Sequence, residues 1–480
     1  MSSKYRTTIG LEIHAELKTR TKMFCSCLND FSEIKPNINV CPVCLGHPGV
    51  MPIINKKAIE EVIKLGLALN GEILDHSQFD RKSYFYPDLP KGYQISQYEL
   101  PLVKGGELAG VQVRRIHLEE DTARLLHSGN ESLVDFNRAG VPLMELVTEP
   151  VIDSSEKALE FGRELQLVLR YLDISDADME KGQFRVEANV SVAPYGHEEL
   201  GTKVELKNIN SFRAVKNALA YEIERQKELL EKGEKVVHET RGWNEAKGMT
   251  ISQRRKEEAH DYRYLPEPDL PPMEFVAGQG INLEELKISL PELPGVKRKR
   301  FATEYELPEK QVEVLISDRY VADYFERAVS EFLALEDEEK QKRIRLLANN
   351  LTTNLIGLLN RDKISIQEVE GKIPPQNFAK LTNFVVTGIT SSTAAVSILT
   401  EMAATGLDPD ELVAGKTQIS DESEITKIVK KIIIGNPDAV ESYKKGKTNS
   451  LQFLAGQVMA EAKGRANPQV VQEILKKTLD

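Results

Sequence analysis

Four cysteines form two close pairs, Cys25-Ser26-Cys27 and Cys41-Pro42-Val43-Cys44, with thirteen residues between the pairs. Two such pairs on a short loop can set four thiolates tetrahedrally around one zinc ion. Four protein ligands leave no open position for water, so the site would be structural. It would also use every thiol of the chain, leaving no cysteine nucleophile for glutamine hydrolysis or acyl transfer. A second pattern is acidic. Glu12 and His14 lie two apart in Gly10-Leu11-Glu12-Ile13-His14, and on a strand such residues share a face. Glu119, Glu120, Glu145, Glu149, Glu187 and Glu205 recur in strand-like stretches that otherwise read as buried. Singly, each fits the wet side of a strand. As a set on one face they would suit Mg²⁺ and phosphate, because buried carboxylates need cations and Mg²⁺ prefers oxygen donors.

A third group is polar. Asn208 and Asn210 share a face if the strand over Lys203–Leu206 continues, with Lys203, Glu205 and Lys207 on the other. Such residues can bind a phosphate, a ribose or an RNA end, or can simply make a turn. The usual nucleotide signatures are missing. Gly415-Lys416-Thr417 and Gly446-Lys447-Thr448 have Asp410 and Glu441 where a phosphate loop needs its first glycine. There is no G-x-G-x-x-G after a strand, no kinase H-R-D or D-F-G, and no Gly/Ser-rich amidase segment.

The elements that must position these residues divide the chain. Up to about residue 293, β-branched runs such as Thr7–Leu17, Val111–Leu118 and Phe184–Val192 alternate with the helical stretches Lys56–Ala68 and Ser155–Arg170. Several strands in succession before a helix predict an α+β fold with an antiparallel-rich sheet. Proline-rich stretches at 265–272 and 290–294 place a boundary near 293. Beyond it Asp318–Leu333, Glu338–Leu359 and Pro375–Thr387 have helical spacing, and Gly406-Leu407-Asp408-Pro409 marks a second boundary. Two helices, Ser450–Lys463 and Gln469–Leu479, end the chain.

Composition sets outer limits. The 480 residues carry 63 Lys+Arg against 74 Asp+Glu, a net charge of −11, with 41% hydrophobic content. That balance suits a globular chain and excludes a general DNA coat or a polybasic membrane binder. The carboxylate excess is concentrated before residue 293, and the helical part is close to neutral. Its basic spots, Lys297–Arg300 and Lys444, Lys445, Lys447, read on charge alone as solvated faces or linker. No apolar run is long enough to span a membrane, and the start, MSSKYRTTIGLEIH, has no signal core, so the expected location is the cytoplasm.

Longer blocks carry a resemblance. They are GLEIHAEL at 10–17, the CSC…CPVCLGHPG cysteine block, YFYPDLPKGYQISQYELP at 84–101 and HLEEDTAR at 117–124. DFNRAGVPLMELVTEP at 135–150, FRVEANVSV at 184–192 and KVELKNINSF at 203–212 follow, then KEEAHDYRYLPEPDLPP at 256–272 and FLAGQVMAEAKGRANPQVV at 453–471. Over essentially its whole length the chain resembles the B subunits of the aspartyl/glutamyl-tRNA(Asn/Gln) amidotransferases. The resemblance implies an N-terminal cradle with the kinase site (1–293), a helical domain (294–405) and a small helical tail gripping the outer body of the tRNA (406–480). It implies ATP-dependent phosphorylation of the side-chain carboxylate of Glu-tRNA(Gln) or Asp-tRNA(Asn). Amidation follows, with ammonia channelled from a separate amidase (glutaminase) subunit, while a small third subunit clasps the two in a heterotrimer. It places Glu12, His14, Glu119, Glu145, Glu187 and Glu205 as Mg²⁺ ligands, with Glu187 where the motif commonly has Asp. It matches Cys25, Cys27, Cys41 and Cys44 to a zinc site; Lys207, Asn208 and Asn210, from the polar group above, stay the candidate nucleotide contacts on their residue types. Tyr84, Lys91, Tyr93 and Gln94 fall in a block implied to contact the acceptor end or line a channel.

Overall fold

Strand alternation decides the first half of the chain. In β1, Tyr5–Glu16, the odd residues Ile9, Leu11, Ile13 and Ala15 are buried while Glu12 and His14 are partly exposed. The computed structural model describes residues 4–30, 32–255, 262–275, 280–414, 422–445, 449–462 and 466–479. Part of the block at 256–272, the triplets 415–417 and 446–448 (with Lys447) and residues 463–465 lie outside the described residues.

The chain forms two units, Met1–Pro294 and Gly295–Asp480. The first is built on a ten-stranded sheet. Its central strands are β1, β4 (Val111–Glu120), β5 (Pro142–Thr148), β6 (Phe184–Pro194), β7 (Val204–Lys207), β8 (Glu239–Asn244) and β9 (Met249–Arg255). They lie in the order β9-β8-β7-β6-β1-β5-β4. All neighbours among them run antiparallel except β7 and β8. The expected antiparallel-rich α+β architecture is the one found. A smaller sheet pairs β2 (Asp80–Ser83) with β3 (Tyr93–Ser96).

Three helices cover one face: α1 (Lys56–Ala68), α2 (Ser155–Tyr171) and α3 (Phe212–Glu231). Asn55, Ser154 and Ser211 cap them by accepting from first-turn amides, each cap contributing about 1 kcal/mol. Phe161, Leu165 and Val168 of α2 and Val215 and Leu219 of α3 join Ile9, Leu11 and Ile13 in one core. Each such side chain adds roughly 1.5–3 kcal/mol of burial. The opposite face is left to polar groups.

The second unit is helical. Helices from Pro294–Glu304 to Pro409–Val413 share a core around Tyr324, Phe325, Leu347 and Phe378. Ile425, Val429, Leu454, Val458 and Leu475 form a separate cluster. The helical stretch expected over Glu338–Leu359 is interrupted by a π turn at Leu351–Leu355. There the Thr352 and Thr353 hydroxyls donate to the carbonyls of Ala348 and Asn349, a local competition with the backbone ladder. The basic run at 297–300 is not a linker, and only part of it is a solvated face, with Lys299 exposed. It lies in a helix, where Lys297 is buried against Asp323 (2.9 Å) and Glu326 (2.6 Å).

Candidate functional site

The polar face of the large sheet gathers residues from four strands by register alone. His14 on β1 stands opposite Glu145 on β5 and Arg185 on β6. Glu145 stands opposite His117 on β4, Glu119 opposite Leu143, and Glu12 opposite Glu187. Cross-strand partners point to the same side. Convergence, which spacing within a single strand cannot establish, follows from this pairing.

The resulting cluster is tight. His14 Nε2 lies 3.4 Å from Glu145, 3.6 Å from Glu119 and 3.9 Å from Glu12. His117 Nε2 lies 3.3 Å from the same Glu145 oxygen that faces His14. Two triads result, Glu12–His14–Glu145 and His117–Glu119–Glu145, each with ligand atoms within 4.8 Å of one another and with Glu145 in both. Burial raises the Glu12 carboxyl, and neighbouring Glu145 adds to it. Burial alone would lower His14, but the hydrogen bond and charge of Glu145, with Glu119 and Glu12, push it up to about 9. Burial opposes ionisation of Glu145, yet His117 and His14 hold it well below the ordinary carboxylate range. Carboxylates gathered this closely need a cation, and an oxygen-rich set with two imidazoles fits a hard divalent ion. His117 Nδ1 is buried without a hydrogen-bond partner, which marks the pocket as built for more than its own side chains.

Not all the sequence candidates join the cluster. Glu187 and Glu205 stand one and two strands away and are bridged by Lys207, whose Nζ lies 2.6 Å and 3.3 Å from them. Glu205 also accepts from the Thr240 hydroxyl at 2.8 Å. Glu120 turns away from the cluster to the Lys91 ammonium and the Ile95 amide, and Glu149 forms a bidentate pair with Arg114. The strand through Lys207 does not continue. Asn208 has a left-handed φ of 58°, which ends β7, and Ser211 caps α3 three residues later. Asn208 and Asn210 therefore share no strand face and belong to a turn, where Asn208 donates to Gln253 at 3.4 Å.

Sequence reasoning misses three participants. His117 precedes Glu119 by two residues, the mirror image of Glu12 and His14, and that H-x-E spacing is the signal that could have found it. Arg185 reaches the cluster only through its register with His14 and donates to Asp121 at 2.6 Å. Lys82 on β2 is raised despite burial by the charges of Glu119 and Glu145. Its ammonium lies 5.1 Å from the Tyr262 ring, beside Tyr84. No local pattern marks it. Of the block at 84–101, Gln94 donates to the Glu120 carbonyl at 2.8 Å and Tyr93 lies under the Arg81 guanidinium at 4.4 Å.

The four cysteines come together, their sulfurs within 4.8 Å of one another and those of Cys41 and Cys44 3.9 Å apart. Tetrahedral zinc with bonds of about 2.3 Å needs sulfurs about 3.8 Å apart. A hydrogen bond from Cys25 lowers the Cys44 thiol to about 5 against the effect of burial, and Cys25 is correspondingly raised. Lys22 Nζ stands 3.9 Å from the Cys44 sulfur. The donor set fits zinc.

Beside the cluster, Glu16 and Asp121 are buried carboxyls whose charges act on one another. Burial first, then the Asp121 charge, raise Glu16 to about 8, while Arg185 and Arg138 keep Asp121 ionised against its own burial. A carboxyl raised above its unfolded value binds more protons folded than unfolded, so its contribution falls as pH rises from about 4.5 to 8. Glu16→Gln, which mimics the protonated form, is expected to flatten the fall of thermal stability between about pH 5 and about pH 8.5. Parallel curves for the two proteins in scanning calorimetry would refute the raised Glu16 carboxyl.

Known proteins share this arrangement of sequence. Residues 7–278 match the family model described as GatB/GatE catalytic domain, and residues 323–479 match that described as GatB domain. The chain is 48% identical to the B subunit of the aspartyl/glutamyl-tRNA(Asn/Gln) amidotransferase of Thermoanaerobacter pseudethanolicus, over 99% of each chain. It is 45% identical to that of Rippkaea orientalis, over 99% of this chain and 98% of the relative. With that of Dehalococcoides mccartyi it shares 44% identity, over 100% of this chain and 99% of the relative. Sheet, paired acid–imidazole cluster and cysteine knuckle all fall within the first matched stretch, and the chain belongs to the family of amidotransferase B subunits.

Proposed function

We propose that the polar face of the sheet is the phosphoryl-transfer site of a glutamine-hydrolysing aminoacyl-tRNA amidotransferase. The observation that carries this reading is the cluster in which two acid–imidazole pairs share Glu145. The side-chain carboxylate of Glu-tRNA(Gln) or Asp-tRNA(Asn) attacks the γ-phosphate of ATP, the bond to the β,γ-bridging oxygen breaks, and ADP departs. The carboxylate oxygen would otherwise leave as oxide, and phosphorylation makes phosphate the leaving group. Ammonia then attacks the acyl carbon, phosphate departs, and Gln-tRNA(Gln) or Asn-tRNA(Asn) remains.

The chain's own residues supply positioning and charge. Glu12, His14, Glu119 and Glu145 are the ligands best placed for Mg²⁺, with His117 joining Glu119 on the second triad. Held by these residues, Mg²⁺ would supply positive charge against the phosphoryl group in transfer. Lys82, Lys207 and Arg185 bring cationic groups to the same face, where they balance the carboxylates and attract phosphate oxygens. Glu187 and Glu205 hold Lys207 in place, and would be open to a cation only if the lysine left them for a nucleotide phosphate. Asn208 and Asn210, in the turn before α3, stand near the end of that strip. The cysteine knuckle would hold zinc in a structural role, its four thiols filling the coordination sphere.

The division of labour implies partners: an amidase that releases ammonia from glutamine, a small third subunit, and the misacylated tRNA. The work is cytoplasmic, and among the described residues no helix is long and apolar enough to cross a membrane. The direct test is transamidation by the chain co-expressed with both protein partners, given ATP, Mg²⁺, glutamine and either misacylated tRNA. Amide product that requires ATP and this chain supports the reading, and the preferred tRNA gives the specificity. Glutamine hydrolysis and tRNA binding without amide product would leave a silent scaffold.

The tail is proposed to grip the tRNA body, since helical RNA is read mainly by shape and phosphate. Leu412 packs in the larger helical core, whereas the last cluster begins at Ile425. A truncation after Ala414 therefore leaves the larger core whole. It is expected to raise the KM for tRNA about tenfold or more, in line with several lost phosphate contacts, with glutamine hydrolysis unchanged. Loss of both activities in parallel would argue against a tRNA-specific role.

A further inference from the structure

The cysteine knuckle borders a cavity whose other side is carried by Glu120, the chain neighbour of Glu119 in the acidic cluster. This cavity, of about 180 Å³, is lined by Cys25, Cys44, Gly46 and His47 on one side and by Lys91 and Glu120 on the other. Lys91 and Glu120 form an ion pair with side chains only 11% and 5% exposed. Glu120 is fixed further by the Ile95 amide at 3.0 Å, and its chain neighbour Glu119 belongs to the acidic cluster.

The contact between the two sides runs through Gly46, two residues after Cys44. Its φ is +65°, and a Cβ built there would stand 2.2 Å from Lys91 Cγ and 3.2 Å from Lys91 Cα. Only a residue without a side chain lets the knuckle lie flat against the lysine stem. Gly46 is held by the knuckle's own turn, its amide donating to the Val43 carbonyl at 3.0 Å, while the Cys41 amide points to the Cys44 sulfur at 3.1 Å. On the far side, a Cβ built at Gly140 would lie 3.4 Å from the Cys44 Cβ and 4.0 Å from the Glu120 carboxylate. The knuckle thus meets the ion pair directly at the Lys91 stem, and Gly140 lies between Cys44 and the Glu120 carboxylate.

We propose that the four-cysteine knuckle, when metal-loaded, is a positioning element for the Lys91–Glu120 ion pair, and that Gly46 is the residue through which it acts on Lys91. Zinc closes the turn, the turn sets Gly46 against the Lys91 stem, and the ammonium is kept on Glu120 in the cavity wall. The inference rests on zinc occupying the four thiols.

The same loop supplies its own control. Gly49 has a φ of +85° but nothing within 4 Å of a built Cβ. Alanine there brings the same backbone strain without touching Lys91. The experiment is amine acylation of the full chain followed by peptide mass spectrometry, with the exposed Lys181 as internal standard. Zinc content is measured first by elemental analysis. In the zinc-loaded chain Lys91 should label slowly. After chelation, and in Gly46→Ala with zinc retained, its labelling should rise about tenfold, the change that accompanies ~1.4 kcal/mol of lost local protection. Gly49→Ala should leave it slow. Zinc present but Lys91 labelling indifferent to its removal overturns the positioning role, as does equal labelling in the two alanine variants. Absence of zinc from the purified chain overturns the metal reading itself. Should chelation also remove the strand signal in circular dichroism, the zinc-loaded Gly46→Ala chain decides.

Discussion

Glu145→Gln should lower ATP-dependent amide formation by about 10²–10³-fold, the usual cost of losing one preorganised charge at a phosphoryl-transfer centre. The substitution keeps the shape and one acceptor but removes the charge common to both triads. His14 and His117 then lose the carboxylate at 3.4 Å and 3.3 Å that now holds them. Glutamine hydrolysis by the amidase partner should be untouched, because the proposed division of labour puts that chemistry outside this chain. Two readings separate the causes. Mn²⁺ binding followed by electron paramagnetic resonance should weaken in the variant, while circular dichroism should remain that of the parent. Undiminished amide formation would remove Glu145, and with it the shared-ligand arrangement, from the reaction. Glu12→Ala should act in the same direction but more mildly, because Glu12 belongs to one of the two triads and is 31% exposed.

The second large effect concerns the metal. A closed four-thiolate zinc contributes on the order of 10 kcal/mol to the structure that binds it. The knuckle is a loop attached to a sheet with its own core, so only part of that reaches global stability. If about 3 kcal/mol is transmitted, chelation or Cys44→Ser lowers Tm by about 5–10 °C for a unit of this size. The knuckle is tied in at several points. The Asn37 amide donates to Asp135, its side chain to the Val134 carbonyl, and the Ile38 and Asn39 amides to Asn137. Hydrogen exchange should therefore accelerate in residues 22–50 and in 134–137 together. A Tm indifferent to chelator in a zinc-containing protein would show that the loop holds without its ion.

Much of this is legible without the structure. The two cysteine pairs need only a short loop to meet, so spacing is enough. The E-x-H pair on β1 is readable because a strand repeats every two residues. What spacing within one strand cannot state is which strands are neighbours. His117, Arg185 and Glu145 meet His14 only through the order β6-β1-β5-β4. Glu120 and Glu149 look equivalent to Glu119 in type and context, and only the direction of their side chains separates them. Asn208 escapes for another reason. Its left-handed backbone stops a strand that propensity alone would continue. Lys297, solvated if judged by charge, is held inside a helix by two acids that lie 26 and 29 residues further along the chain.

On β1, hydrocarbon and chemistry occupy the same few residues of chain. Ile9, Leu11 and Ile13 belong to the core, and Glu12 and His14 to the opposite face. A slip by a single residue would turn every one of them over at once. Three carbon-rich side chains would surface, and an acid and an imidazole would be driven among Phe161, Leu165 and Val168. No partly correct alignment exists in which the hydrocarbon is settled and the chemistry is off by one. The apolar half of the strand therefore proofreads the polar half: the burial that fixes which side meets the helices fixes, by the same act, which side carries the acid and the imidazole.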